Sequence, residues 1–129
     1  MTTPRTGLIR NATIIVLLAG IAFASQAQAT VLRVIVVKTD NASAYVKEVA
    51  KGEALMKRLQ LHSILRVWRA RFAGHDTGAV VVSVEYPSLT VLAQDEAKAF
   101  ADPEYAAWLN GLDKIRTIVS DSTYDELKP

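Results

Sequence analysis

Three arginines and one glutamate are the residues of this chain best suited to hold a ligand: Arg33, Arg69, Arg71 and Glu85. Each lies in or beside a run rich in β-branched residues, so strand pairing decides whether they meet. With Arg69 opposite Ser83 in a hairpin, Leu65, Val67, Arg69 and Arg71 share a face with Val81, Ser83 and Glu85. Trp68, Ala70 and Phe72 then join Val80, Val82, Val84 and Tyr86 on the other, apolar face. A first strand antiparallel to the third adds Arg33, Ile35 and Val37 to the mixed face and brings Arg33 to Glu85. Planar guanidinium forks around an aliphatic floor suit a small organic anion. The competing reading makes Arg33 and Glu85 a structural ion pair and leaves Arg69 and Arg71 as solvated charges on an edge strand. A slip of one residue would instead set Arg66 and Trp68 beside Glu85 and Ser83. The first register is preferred because it separates polar from apolar residues more cleanly.

Other chemistry is thinly represented. His62 and His75 are the only histidines, both in polar connections, where solvation is the commoner fate and a general base or haem ligand the rarer one. Neither has a second histidine at metal spacing or a carboxylate cluster beside it, so no metal and no cofactor is expected. The absence of cysteine excludes thiolate catalysis, Cys-ligated zinc, iron–sulfur clusters and disulfides. Ser43, Ser83, Ser88, Ser120 and Ser122 lack a nucleophile-elbow context, and no glycine-rich phosphate loop follows the first strand. Trp68, Tyr105 and Trp108 read as core packing rather than ligand stacking. Asn41-Ala42-Ser43 matches a glycosylation sequon, a short match that arises readily by chance.

The elements that must position these residues emerge from periodicity. Val31 to Lys38 reads as a buried strand. Asp40 or Asn41 caps a helix in which Ala42, Tyr45, Val49, Gly52, Met56 and Leu59 recur at helical spacing, with Gly52 on the apolar side permitting close approach to a sheet. Ile64 to Ala73 and Ala79 to Tyr86 flank the turn Gly74-His75-Asp76-Thr77-Gly78 and make a hairpin. Pro87-Ser88 opens a second helix carrying Leu89, Leu92, Glu96, Ala99 and Phe100, broken near Ala101 and restarted by Asp102-Pro103. Arg116 to Tyr124 is the last strand. The order strand, helix, strand, strand, helix, strand predicts an α+β, ferredoxin-like βαββαβ fold with a four-stranded antiparallel sheet. Both helices cover one face, leaving the other, expected to carry Ile35, Val37, Val67 and Val81, in need of a partner.

Of the 129 residues, 50% are hydrophobic and 22% charged, the composition of one ordinary globular domain. The first 29 read as a cleaved secretory signal: Arg5 and Arg10, the apolar run Ile14 to Phe23, and the small-residue site Ala27-Gln28-Ala29. No Arg-Arg pair precedes the apolar run, which favours the general secretory route. Residues 30–129 then form the single mature domain, expected to be periplasmic or secreted and free of the membrane. Of the 15 Lys and Arg, Arg5 and Arg10 leave with the signal, so 13 bases face 13 acids and nucleic acid is not an expected partner. The charge is divided nonetheless, with nine bases and three acids from Thr30 to Arg71 and four bases and ten acids beyond. Such asymmetry suits a contact between halves or between subunits.

The topology, the hairpin at Ala73 to Gly78, the Glu85-Tyr86-Pro87-Ser88-Leu89 turn and Ala101-Asp102-Pro103-Glu104-Tyr105 with Trp108 together resemble the dimeric α+β barrel superfamily. Within it the chain is most similar to the small NIPSNAP-like and antibiotic-biosynthesis-monooxygenase-like branches. The resemblance implies a homodimer whose two sheets close a shared barrel. It leaves two function classes: an exported binding or accessory module for a small organic ligand, or a cofactor-independent monooxygenase acting on a small aromatic or acidic metabolite. No residue is assigned a catalytic role.

Overall fold

Valines and one isoleucine dominate Val31–Lys38, and this stretch forms β1, the second-from-edge strand of a four-stranded sheet. The structure, a computed structural model, describes residues 29–129. The expected export segment ends at Ala29 and otherwise lies outside the described residues. Helix α1 (Ala42–Arg58) is capped by Asn41, whose side-chain oxygen accepts from the Ala44 N–H at 2.9 Å, and it carries Lys57 and Arg58 in its last turn. Strands β2 (Ile64–Arg69) and β3 (Val80–Tyr86) follow. Ser88 caps α2 (Leu89–Phe100) through the Val91 N–H, and Asp102 caps α3 (Pro103–Asp113) through the Tyr105 N–H, so the second helix is divided where the Asp-Pro signal lies. Strand β4 (Thr117–Asp125) is the last element.

The sheet order is β2-β3-β1-β4, all antiparallel, the ferredoxin-like βαββαβ arrangement. Val31, Val37, Val80, Val82, Val84 and Tyr86 pack from the sheet against Tyr45, Val49 and Met56 of α1 and Leu112 of α3. Gly52 lies under the indole of Trp108, whose Nε1 donates to the Glu48 carbonyl at 2.8 Å and locks α3 onto α1. In β4 the ladder shifts between Val36 and Val37: Ile118 stands opposite Val37 and Ser120 opposite Val36, so Val119 is an extra residue, a β-bulge.

The hairpin register differs from expectation. Arg66, not Arg69, stands opposite Ser83, and the ladder continues outward through Trp68↔Val81 and Arg69↔Val80. The cause is the turn. Strand β2 ends at Arg69, the Gly78 N–H donates to the Ala70 carbonyl and the Ala70 N–H to the Ala79 carbonyl, leaving Arg71 to Thr77 as the loop. Reading Arg71 to Ala73 as strand slides β2 by three residues, an odd number, and turns every side chain over. Val67 therefore lies on the helix side; Ile35 and Val37 join it there because β1 pairs with β3 one residue away from expectation, and of the four residues expected on the uncovered face only Val81 is there. Trp68, expected under the helices, is 54% exposed on the uncovered face, where its Nε1 donates to Ser83 Oγ at 2.7 Å. Phe72, likewise expected inside, is fully exposed in the loop.

A cavity between sheet and helices

The expected ligand residues do not come together. Arg33 stands opposite Val84 and projects from the sheet toward the helices, whereas Glu85, opposite Leu32, lies on the uncovered face and pairs with Arg66 at 3.3 Å. The one-residue offset in the β1–β3 pairing is enough to part them. Arg69 ends β2 and Arg71 stands in the loop beyond it, both exposed. Of the four, only Arg33 reaches the cavity between the sheet and the helices.

That cavity, of about 230 Å³, lies between the sheet and the helix layer. Ile35, Leu65, Val82 and Val84 form its floor, and Val49, Met56, Leu109 and Leu112 close it from above. Phe100, Tyr105 and Trp108 wall one side, with Phe100 edge-on to Tyr105 at 6.1 Å between ring centres and Tyr105 at 5.2 Å from Trp108. Arg33 donates Nε and one terminal nitrogen to the two oxygens of Asp121, at 2.8 and 2.6 Å, and its other terminal nitrogen to Glu96 at 2.8 Å. The fork on Asp121 raises the guanidinium's already high pKa further, and the same bonds hold the Asp121 carboxyl below its ordinary range. Arg116 donates to Tyr45 and to Asp113, and these bonds outweigh the burial that opposes its charge.

Tyr86 is 6% exposed and lines the cavity with a phenol that has no hydrogen-bond partner among the described residues. Burial first, and the nearby Glu96 charge second, push its ionisation up to about 12, while burial raises Tyr105 as well. Because a folded tyrosine held neutral to about pH 12 competes with an unfolded one that ionises near 10, its contribution to stability is complete below pH 10 and lost as pH climbs to 12. Ultraviolet titration of phenolate should show late-ionising tyrosines, the latest of which Tyr86→Phe removes. Disappearance of a different transition, with the latest one intact, would refute the assignment.

Asp95 borders the same cavity from α2 and is 4% exposed. One oxygen accepts from the backbone N–H groups of His62 and Ser63, at 2.8 and 3.1 Å, and the other lies 3.2 Å from His62 Nδ1. Thus His62 is oriented by a carboxylate although its ring is largely solvated. His75 stands at the exposed tip of the hairpin loop, 3.3 Å from Asp76. Among the described residues no group of three His, Asp or Glu is placed to hold a metal ion, and no helix is long and apolar enough to cross a membrane.

Glu96, Asp121, Asp95 and Tyr86 line the cavity, and sequence reasoning did not single them out for it. Glu96 carried a usable signal, a carboxylate inside the apolar stripe Leu92, Glu96, Ala99. Asp121 carried none, because the bulge at Val119 breaks the alternation from which its face would be read. The charge asymmetry between the two halves is used inside the fold: Arg33 with Glu96 and Asp121, Arg58 with Asp102 and Glu104, and Arg66 with Glu85 all join the basic half to the acidic one.

Fold and cavity together define the class of protein: a ferredoxin-like α+β domain hollow beneath its helices. Solved structures of the same fold include SnoaB, a cofactor-independent oxygenase from Streptomyces nogalater, at a TM-score of 0.59 and 14% identity over 78% of this chain and 96% of that one. They include a NIPSNAP family protein from Agrobacterium tumefaciens, at a TM-score of 0.58 and 17% identity over 79% and 88%. A conserved protein of unknown function from Bacteroides thetaiotaomicron, described as a possible oxidoreductase, aligns at a TM-score of 0.52 and 12% identity over 78% and 100%. No protein-family model matches the chain, and no curated protein matches it in sequence. At these identities the likeness establishes the fold.

Proposed function

We propose that this is an exported homodimeric module that binds a small organic molecule in the cavity between its sheet and helices. The observation that carries the reading is the cavity itself: about 230 Å³ with aliphatic and aromatic walls, lined also by the Tyr86 side chain. Ligand sites are commonly apolar hollows with a few fixed polar groups. The homodimer is supported by the uncovered sheet face, where Leu32, Val34, Val81 and the half-exposed Ile64 and Trp68 would be covered by the sheet of a second copy. Export rests on the charged, apolar and small-residue segments that end at Ala29.

A second reading, a cofactor-independent oxygenase acting on a small aromatic metabolite, is favoured by Asp95 at the cavity's edge and the solvated His62 ring beside it. A carboxylate-held imidazole is a general base able to deprotonate an electron-rich aromatic, which must itself supply electrons to dioxygen. The test is a thermal-shift screen of small aromatics, followed by oxygen-uptake measurement on those that bind. Binding without uptake is the expected result. Uptake abolished by His62→Ala would favour the enzyme, and no stabilisation by any compound would remove both readings.

A further inference from the structure

The proposed ligand cavity has a sign of charge. Arg33 and Arg116 line it against Asp95, Glu96, Asp113 and Asp121, a formal net of two negative charges. Neither arginine is open to an anion. Arg33 is forked onto Asp121 and bonded to Glu96, and Arg116 is held by Asp113 and Tyr45. Two carboxylates on one guanidinium leave an excess negative charge, and Glu96 is where it is accessible. One Glu96 oxygen meets Arg33, the other takes no hydrogen bond from the described residues, and the side chain is 33% exposed. Tyr86 and Tyr105 both lie within the reach of that charge, and Phe100 and Trp108 stack beside Tyr105. Tyr86 is the independent sign of a ligand: the side chain is 6% exposed and lines the cavity, and its hydroxyl takes no hydrogen bond from the described residues.

Given that this cavity is a ligand site, on which the assignment rests, we propose that it binds a small organic cation, an ammonium group on an apolar body, and excludes carboxylates. The ammonium donates to the spare Glu96 oxygen while its positive charge meets aromatic faces, the combination by which proteins hold organic ammonium ions. The apolar body lies on the floor of Ile35 and Val82. This reverses the sign expected from the sequence, because the arginines on which the anion depended are either already neutralised or outside the cavity.

The test is calorimetric titration of the full protein with three probes of similar size: 2-phenylethylamine, 2-phenylethanol and phenylacetate, at neutral pH in one buffer of fixed salt, since charge attractions are screened. The amine should bind about tenfold more tightly than the alcohol, and phenylacetate should not bind. Glu96→Gln should cost the amine about tenfold, the loss of a charge-assisted bond, and leave the alcohol unchanged. Should that variant fail to fold, the ranking of the three probes on the wild-type protein decides alone. Alcohol or acid binding as tightly as amine, or amine affinity untouched by Glu96→Gln, overturns the cation while the ligand site stands. Binding by none of the three overturns the ligand site and the cation together.

Discussion

Gly52→Ala should lower the unfolding free energy by about 2–3 kcal/mol, a fall of roughly 10–20 °C in Tm for a domain of this size. A Cβ at position 52 would overlap the Trp108 ring at Cζ2 and Cη2, with Cε2 at 2.6 Å. The indole cannot simply move aside, because its Nε1 is tied to the Glu48 carbonyl and its other side packs on Tyr105. Alanine's better helix propensity, worth about 1 kcal/mol, offsets only part of the loss. The decisive measurement is the same substitution in a Trp108→Ala background. There the clash is gone and Gly52→Ala should be neutral or stabilising, a coupling that only direct contact produces. An equal loss in both backgrounds would show that the glycine matters for some other reason.

The second large effect is at Asp95. Asp95→Ala strips the acceptor from two backbone N–H groups, those of His62 and Ser63, where the chain passes from α1 into β2. Unsatisfied backbone donors near a buried position cost about 1–3 kcal/mol, more where the lost partner was charged, so a loss of about 3 kcal/mol is expected in denaturant titration. His62→Ala should cost less than about 1 kcal/mol, because the backbone bonds survive and the ring is largely solvated. If the two substitutions destabilise equally, the carboxylate serves the imidazole and not the chain path. That outcome would strengthen the oxygenase reading, since its general base would then be the feature Asp95 is built to hold.

Local signals in the sequence carried the architecture. The β-branched run of β1, the Asn41 cap, Ser88 after Pro87 and the Asp102-Pro103 restart each name an element boundary by a mechanism that acts over three or four residues. Those elements leave one familiar topology, and Gly52 was legible as a place of close approach, though to Trp108 of α3 rather than to the sheet. The site was not legible, because it depends on register. Whether Arg33 meets Glu85 or Glu96 turns on a single residue in the β1–β3 pairing, and the hairpin's offset is set by where Ala70 and Gly78 close the loop, which the strand-like run Arg71-Phe72-Ala73 conceals. Trp68 misled in the same way. Its size argued for the core, yet half of its surface lies on a face that a second copy is proposed to cover.

The bulge at Val119 has a genetic side. It is a spare codon in the strand that delivers Asp121 to Arg33: a chain lacking Val119 can close the ladder directly, with Ile118 still opposite Val37, Ser120 still opposite Val36 and the carboxylate still on the cavity side. The pairing of β1 with β3 runs without a bulge, so a single codon lost at Val34 turns the side chains on one side of the break to the opposite face. Arg33 and the Asp121 carboxylate it forks thus sit on strands of unequal tolerance to length change. The edge strand can shed a residue without moving its acid, and the central strand has none to give.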